Sequence, residues 1–239
     1  MASGNGDLTL VLWDIDHTLI ETRGLGGEFY QRAFEKVTGR RMEQKADVTG
    51  QTEPAILAAT LELHGLDDSS AYQEAYAESL ADEYLKHSDE LLARGRALPG
   101  AREILAALAE RDDVVQTVLS GNLRAVSAIK LRTFDLDRYL DITIGAYGDD
   151  DRHRPRLVAV AQGRAAERHG AEFGRGNTVV VGDSTHDVAT AVEGGASIVA
   201  VASGSSDEEA LTQAGATIVL PDLADTERVL AAVIGGPRA

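Results

Sequence analysis

LTLVLWDIDHTLI, residues Leu8 to Ile20, is the stretch from which the rest of the chain is read. An apolar run of Leu8, Leu10, Val11, Leu12 and Trp13 ends in two carboxylates, Asp14 and Asp16, and a hydroxyl, Thr18. Unbroken apolar character predicts a strand covered on both faces, as in a parallel sheet. Carboxylates at the end of such a strand are costly to desolvate. They belong in a site or beside a cation, or else in an Asp-rich turn that caps the next helix.

The whole chain narrows the choice. Its 239 residues suit one large domain or a domain with a sizeable insertion, and a hydrophobic fraction of 44% supplies a full core. A net charge of −16 repels polyanions, so nucleic acid is not an expected partner. There is no cysteine, which excludes disulfides, zinc thiolates and cysteine nucleophiles. MASGNGD at the start has neither a basic nor an apolar signal region. No apolar run approaches the roughly 20 residues that span a bilayer. A soluble, cytoplasmic protein without a membrane partner is expected.

After the first strand, Glu21–Gly27 (ETRGLGG) marks an irregular, hinge-like segment. From Glu28 to Leu92 the pattern is helical. Phe29, Tyr30, Ala33, Phe34 and Val37 repeat at spacings of three and four; Glu53-Pro54 opens a run from Ala55 to Leu63; Tyr72, Tyr76, Leu80 and Tyr84 form an i, i+4 series. From Pro99 onward strands and helices alternate. Strands are expected at Val114–Leu119, Ile142–Ile144, Thr178–Val181, Ser197–Ala202 and Thr217–Leu220, and a helix stop at Gly194-Gly195. Such alternation predicts an α/β, doubly wound, Rossmann-like parallel sheet. The expected domains are a core of residues 1–20 and 99–239 and a helical insert of residues 21–98.

Ligands of doubly wound sheets bind at the carboxyl ends of the strands. Polar residues gather at those ends: Asp14 and Asp16, then Ser120-Gly121-Asn122, then Asp183 and Asp187. Four carboxylates cannot all stay ionised together without a cation, and all-oxygen ligands beside phosphate select magnesium. Capping of the following helix is the alternative role for Asp183 and Asp187. Ser120 and the amides of Gly121 and Asn122 open a helix, where an anion is favoured. The lysines are Lys36, Lys45, Lys86 and Lys130, and Lys130 alone lies in the α/β half. This chemistry suits covalent catalysis, in which one Asp attacks phosphorus and a second moves the proton.

The ordered set resembles the haloacid dehalogenase superfamily. Asp14-Ile15-Asp16-His17-Thr18 is similar to its first motif, Asp-x-Asp-x-Thr; Leu119–Asn122 to the second; Lys130 to the third; Gly182-Asp183-Ser184-Thr185-His186-Asp187 to the fourth. The insert resembles the family's first class of cap, as in phosphoglycolate phosphatase and β-phosphoglucomutase relatives. The resemblance implies that Asp14 is the nucleophile, Asp16 the general acid/base and Lys130 a catalytic cation. It implies that Thr18, Ser120, Gly121 and Asn122 bind phosphate. It also implies magnesium on Asp14, Asp183, Asp187 and the backbone carbonyl of Asp16. Gln51, in Gly50-Gln51-Thr52, resembles a cap loop that approaches substrate, and Arg23 is a candidate hinge or substrate contact. The sequence departs from the family at His17, where glycine is frequent, and around Pro155. There many relatives have a lysine before the proline and this chain has Arg154, the competitor of Lys130 for the third motif.

The expected activity is a magnesium-dependent phosphatase of a small phosphorylated metabolite, acting through an aspartyl phosphate. The alternatives are a phosphomutase of the β-phosphoglucomutase type and a non-catalytic binding or regulatory module. Dehalogenating relatives lack the second Asp that Asp16 supplies. A monomer or a homodimer is expected.

Overall fold

The computed structural model describes residues 8–47, 50–204 and 206–235; the N-terminal MASGNGD lies outside them. Among these described residues five parallel strands form the central sheet: β1 (Thr9–Trp13), β4 (Val114–Val118), β5 (Thr178–Gly182), β6 (Ser197–Val201) and β7 (Val219–Leu220), in the order β4-β1-β5-β6-β7. The first strand is therefore interior, with β4 on one side and β5 on the other. Its side chains alternate between two cores. Val11 and Trp13 enter one apolar cluster, Leu10 and Leu12 the other, and all four are fully buried. A strand buried on both faces has no polar side to alternate with, which is why the run at 8–13 reads as unbroken.

Helices α5 (Ala101–Ala109), α6 (Arg124–Thr133), α7 (Arg156–His169), α8 (Thr185–Gly194), α9 (Glu208–Gln213) and α10 (Thr226–Gly235) belong to this half. The stop expected at Gly194-Gly195 is a left-handed cap, with Gly195 at φ 83°. The expected strand at Ile142–Ile144 does not form. The Asp141 carboxylate takes the Thr143 N–H at 3.1 Å and the Thr143 hydroxyl at 2.5 Å, curling the backbone into a turn. Pairing along β4 falls instead on one residue, Ala146, bridged to Leu119.

Between β1 and α5 the described residues make two short antiparallel strands, β2 (Ile20–Glu21) and β3 (Arg96–Ala97), and between them four helices. These are α1 (Leu25–Thr38), α2 (Glu53–Leu63), α3 (Ser70–Lys86) and α4 (Ser88–Arg94). The aromatic residues of the helical pattern interlock α1 and α3. Phe29 meets Tyr84 edge-on with centroids 5.0 Å apart, and Tyr30 meets Tyr76 at 5.2 Å. The start of α2 rests on the carboxyl edge of the sheet. The Glu53 N–H donates to the Gly121 carbonyl at 2.8 Å, and the Thr52 hydroxyl to the Arg152 carbonyl at 3.1 Å. Gly121 makes this approach possible, since a Cβ there would lie 2.3 Å from the Gln51 carbonyl oxygen.

Candidate active site

The strand ends and the insert enclose a cavity of about 500 Å³. Asp14, Asp16, Ser120, Gly121, Asn122, Lys130, Asp183 and Asp187 line it, together with Arg23, Gln51 and Arg154. Thr18 is placed differently: it is fully buried, and its hydroxyl donates to Asp183 Oδ1 at 3.2 Å.

The two Asp residues of the first strand end occupy unlike surroundings. Asp16 is held by Lys130, whose Nζ lies 2.9 Å from Oδ1 and 2.7 Å from Oδ2, and by Asn122 Nδ2, 2.6 Å from Oδ2. Lys130 also donates to Asn122 Oδ1 at 2.9 Å, so the orientation of that amide is fixed from both ends. Asn122 Nδ2 and backbone N–H both donate to Ser120 Oγ, which leaves the serine O–H to donate elsewhere. Lys130 reaches these groups from the second turn of α6 and is 2% exposed. Burial by itself raises the Asp16 carboxyl, but the Lys130 charge and the hydrogen bonds from Lys130 and Asn122 outweigh it and hold Asp16 below the usual carboxylate range. Burial likewise opposes the Lys130 charge, and Asp16 restores it to above the ordinary lysine value.

Asp14 meets Arg154 instead. Arg154 Nη2 donates to Asp14 Oδ1 at 2.8 Å and to Asp187 Oδ1 at 2.6 Å, while its buried Nε has no hydrogen-bond partner among the described residues. One oxygen each of Asp14, Asp183 and Asp187 lie within 4.8 Å of one another, and all three residues are buried. Burial and then the Asp187 charge push the Asp14 carboxyl well above its ordinary range, against the pull of Arg154. Burial and Asp187 also push Asp183 up to about 6. Three buried carboxylates beside one guanidinium leave two negative charges unmatched. This is the charge, and an all-oxygen set the chemistry, that a hard divalent cation fits.

Asp187 serves twice. It is the third residue of a capping box, its Oδ2 taking the Ser184 N–H at 3.0 Å and the Ser184 hydroxyl at 2.6 Å, while Oδ1 faces Arg154. The capping role and the site role coexist on one carboxylate. Gly182 makes room for it, since a Cβ there would lie 2.4 Å from the Asp187 carboxyl carbon. His17 lines the cavity in a left-handed conformation, φ 61°, which explains why glycine is favoured at such a position. The insert adds Lys45, Glu53 and Tyr84 to the wall, three residues with no strand end or motif to announce them.

Carboxylates, a hydroxyl, an amide and two cations thus meet at the carboxyl edge of a doubly wound sheet. The chain matches the haloacid dehalogenase-like hydrolases over residues 11–191 and belongs to that family. It is 26% identical over 197 residues to a candidate pyrophosphatase, PpaX, of Caldanaerobacter subterraneus subsp. tengcongensis, with 81% of each chain covered. A hydrolase structure from Pseudomonas syringae superposes with a TM-score of 0.67 at 22% identity, covering 93% of this chain and 97% of that one. A candidate β-phosphoglucomutase from Bacteroides vulgatus gives 0.67 at 16% identity, covering 96% of this chain and 90% of that one. At these identities the two structures share the fold.

Proposed function

We propose that the protein is a magnesium-dependent phosphatase that hydrolyses a small phosphate monoester through a phosphoryl group on Asp14. One observation carries the reading: the two neighbouring carboxylates have separate cationic partners, Arg154 on Asp14 and Lys130 on Asp16. Acid/base and nucleophilic roles are divided by giving two like groups unlike environments.

In this reading an Asp14 oxygen attacks phosphorus in line, and the bond from phosphorus to the leaving oxygen breaks. Arg154 keeps Asp14 oriented for that attack. Asp16, protonated, gives its proton to the leaving oxygen. A phosphate dianion bound beside it competes for the Lys130 ammonium and so raises the proton affinity of Asp16. The resulting Asp16 carboxylate takes a proton from water, which attacks phosphorus. The bond to Asp14 breaks and inorganic phosphate leaves. Ser120 O–H and the Gly121 amide bind phosphoryl oxygens. Asp14, Asp183, Asp187 and the backbone carbonyl of Asp16 would hold a divalent cation, which would supply Lewis-acid neutralisation of the transferring charge. Residues 21–98 act as a cap that excludes water, with the β2–β3 pair as its hinge and Arg23 and Gln51 at its substrate-facing edge. The setting is cytoplasmic.

A phosphate-release screen over phosphorylated metabolites, with magnesium and with chelator, tests the reading. Release that needs magnesium and is abolished in Asp16→Asn, with folding retained, supports it. An isomerised sugar phosphate without net phosphate release would make the protein a mutase, and inactivity on every ester would leave a binding module.

A further inference from the structure

The cavity wall opposite the strand ends is built by the helical insert, and its charged residues form a second set. Glu53 opens α2. Its backbone N–H is bonded to the Gly121 carbonyl at 2.8 Å, so main-chain geometry fixes it beside the Ser120–Asn122 donors. Its carboxylate accepts from the Tyr76 hydroxyl at 3.3 Å. Lys45 comes from the segment before α2, which is pinned by the Ala46 N–H on Thr60 Oγ1 at 3.2 Å and the Met42 N–H on Glu35 Oε1 at 3.1 Å. Its Nζ lies 3.9 Å from the centre of the Tyr30 ring. Both side chains line the same cavity as the catalytic carboxylates. Burial is the largest influence on both, raising the Glu53 carboxyl and lowering the Lys45 ammonium.

Two other cations of the cavity are committed: Lys130 is held by Asp16 and Asn122, and Arg154 by Asp14 and Asp187. Arg23, its side chain 54% exposed, makes a solvent-screened pair with Glu21 at 3.7 Å. Around the start of α2 the described residues offer the non-phosphoryl part of a substrate the Lys45 ammonium and the Glu53 carboxylate. A hydroxyl serves both, accepting from Lys45 and donating to Glu53. A second phosphate at Lys45 would bring its charge against Glu53, and like-charge juxtaposition is a strong means of rejection.

Building on the phosphatase reading, we propose that Lys45 and Glu53 form the leaving-group subsite. The subsite takes an uncharged, hydroxylated leaving group and turns away one that carries a second phosphate.

The test compares kcat/KM for glycerol phosphate with kcat/KM for inorganic pyrophosphate, in magnesium, for wild type, Glu53→Gln and Lys45→Met. Wild type favours glycerol phosphate. Glu53→Gln shifts the ratio toward pyrophosphate by about tenfold or more, and Lys45→Met shifts it further away. Melting scans establish that both variants are folded. A ratio unmoved by either variant, or a wild type that prefers pyrophosphate, overturns the subsite. Wild-type release from p-nitrophenyl phosphate is read separately. If it occurs while the ratio fails to move, the subsite falls alone; if no ester is hydrolysed, the phosphatase reading falls with it.

Discussion

Replacing Lys130 with methionine is the perturbation that best separates positioning from phosphate binding. The ammonium makes two contacts with Asp16, at 2.7 and 2.9 Å, and one with Asn122 at 2.9 Å. Methionine keeps the length of the side chain and removes all three. The cost in stability is limited by where the partners lie. Lys130 itself is 3% exposed at the side chain, so its own desolvation penalty disappears with it, whereas Asp16 is 35% exposed and takes up water. A net loss of about 1–2 kcal/mol follows, a shift in Tm of a few degrees. The cost in catalysis is larger. Without Lys130 the Asp16 carboxyl keeps one side-chain donor, Asn122, and general acid–base catalysis is worth about 10²–10⁴ in rate. The assay is kcat/KM on an alkyl phosphate and on p-nitrophenyl phosphate. An alkoxide must be protonated as it leaves and a nitrophenolate need not be, so the alkyl ester should lose at least about tenfold more. Equal losses on the two esters would show that Lys130 acts on the phosphoryl group and not through Asp16. A near-wild-type rate on both would remove it from the site.

Three further outcomes follow from the same geometry. Arg154→Met removes the partner that Asp14 and Asp187 share, and kcat/KM on alkyl and aryl phosphates should fall together, by about 10² or more, because the loss concerns the attacking group. Gly121→Ala places a Cβ 2.3 Å from the Gln51 carbonyl oxygen; the start of α2 must shift, at about 1–3 kcal/mol, and KM should rise severalfold while the core keeps its circular dichroism. Without a divalent cation, Asp183 titrates near 6 and Asp14 is also raised. A carboxyl whose folded value exceeds its unfolded value of about 4 gives stability that is complete below about pH 4 and lost as pH rises through about 6. Magnesium should therefore raise Tm more at about pH 7.5 than at about pH 5, and an equal rise at both would contradict the clustering of these carboxylates.

The parts of the fold legible in the sequence were those with a local cause. Leu8–Trp13 is unbroken because both faces of β1 are covered, and the acids after it follow where the strand ends. Gly182 and Gly195 are set by close approach and by φ, which a glycine in the right place announces. The failure at Ile142–Ile144 has a local cause too, but one that apolar pattern hides: the Asp141 side chain bonds Thr143 and competes with strand pairing. The pairing of cations with carboxylates was beyond the sequence. Lys130 and Arg154 are 24 residues apart and both border the cavity; which one meets Asp14 depends on how α6 and the loop before α7 approach the sheet. Lys45 and Glu53 carry no motif, because only the docking of α2 on Gly121 brings them to the site.

The central claim is that Asp14 carries the phosphoryl group. Asp16→Asn protein, mixed with p-nitrophenyl phosphate and magnesium, quenched in acid and digested, tests it by mass spectrometry. Phosphorylation by an activated ester survives without the proton donor, while hydrolysis of the intermediate slows, so the peptide containing Asp14 should appear heavier by one phosphoryl group. A phosphoryl group on any other residue, or wild-type turnover with Asp14 never modified, would contradict the account.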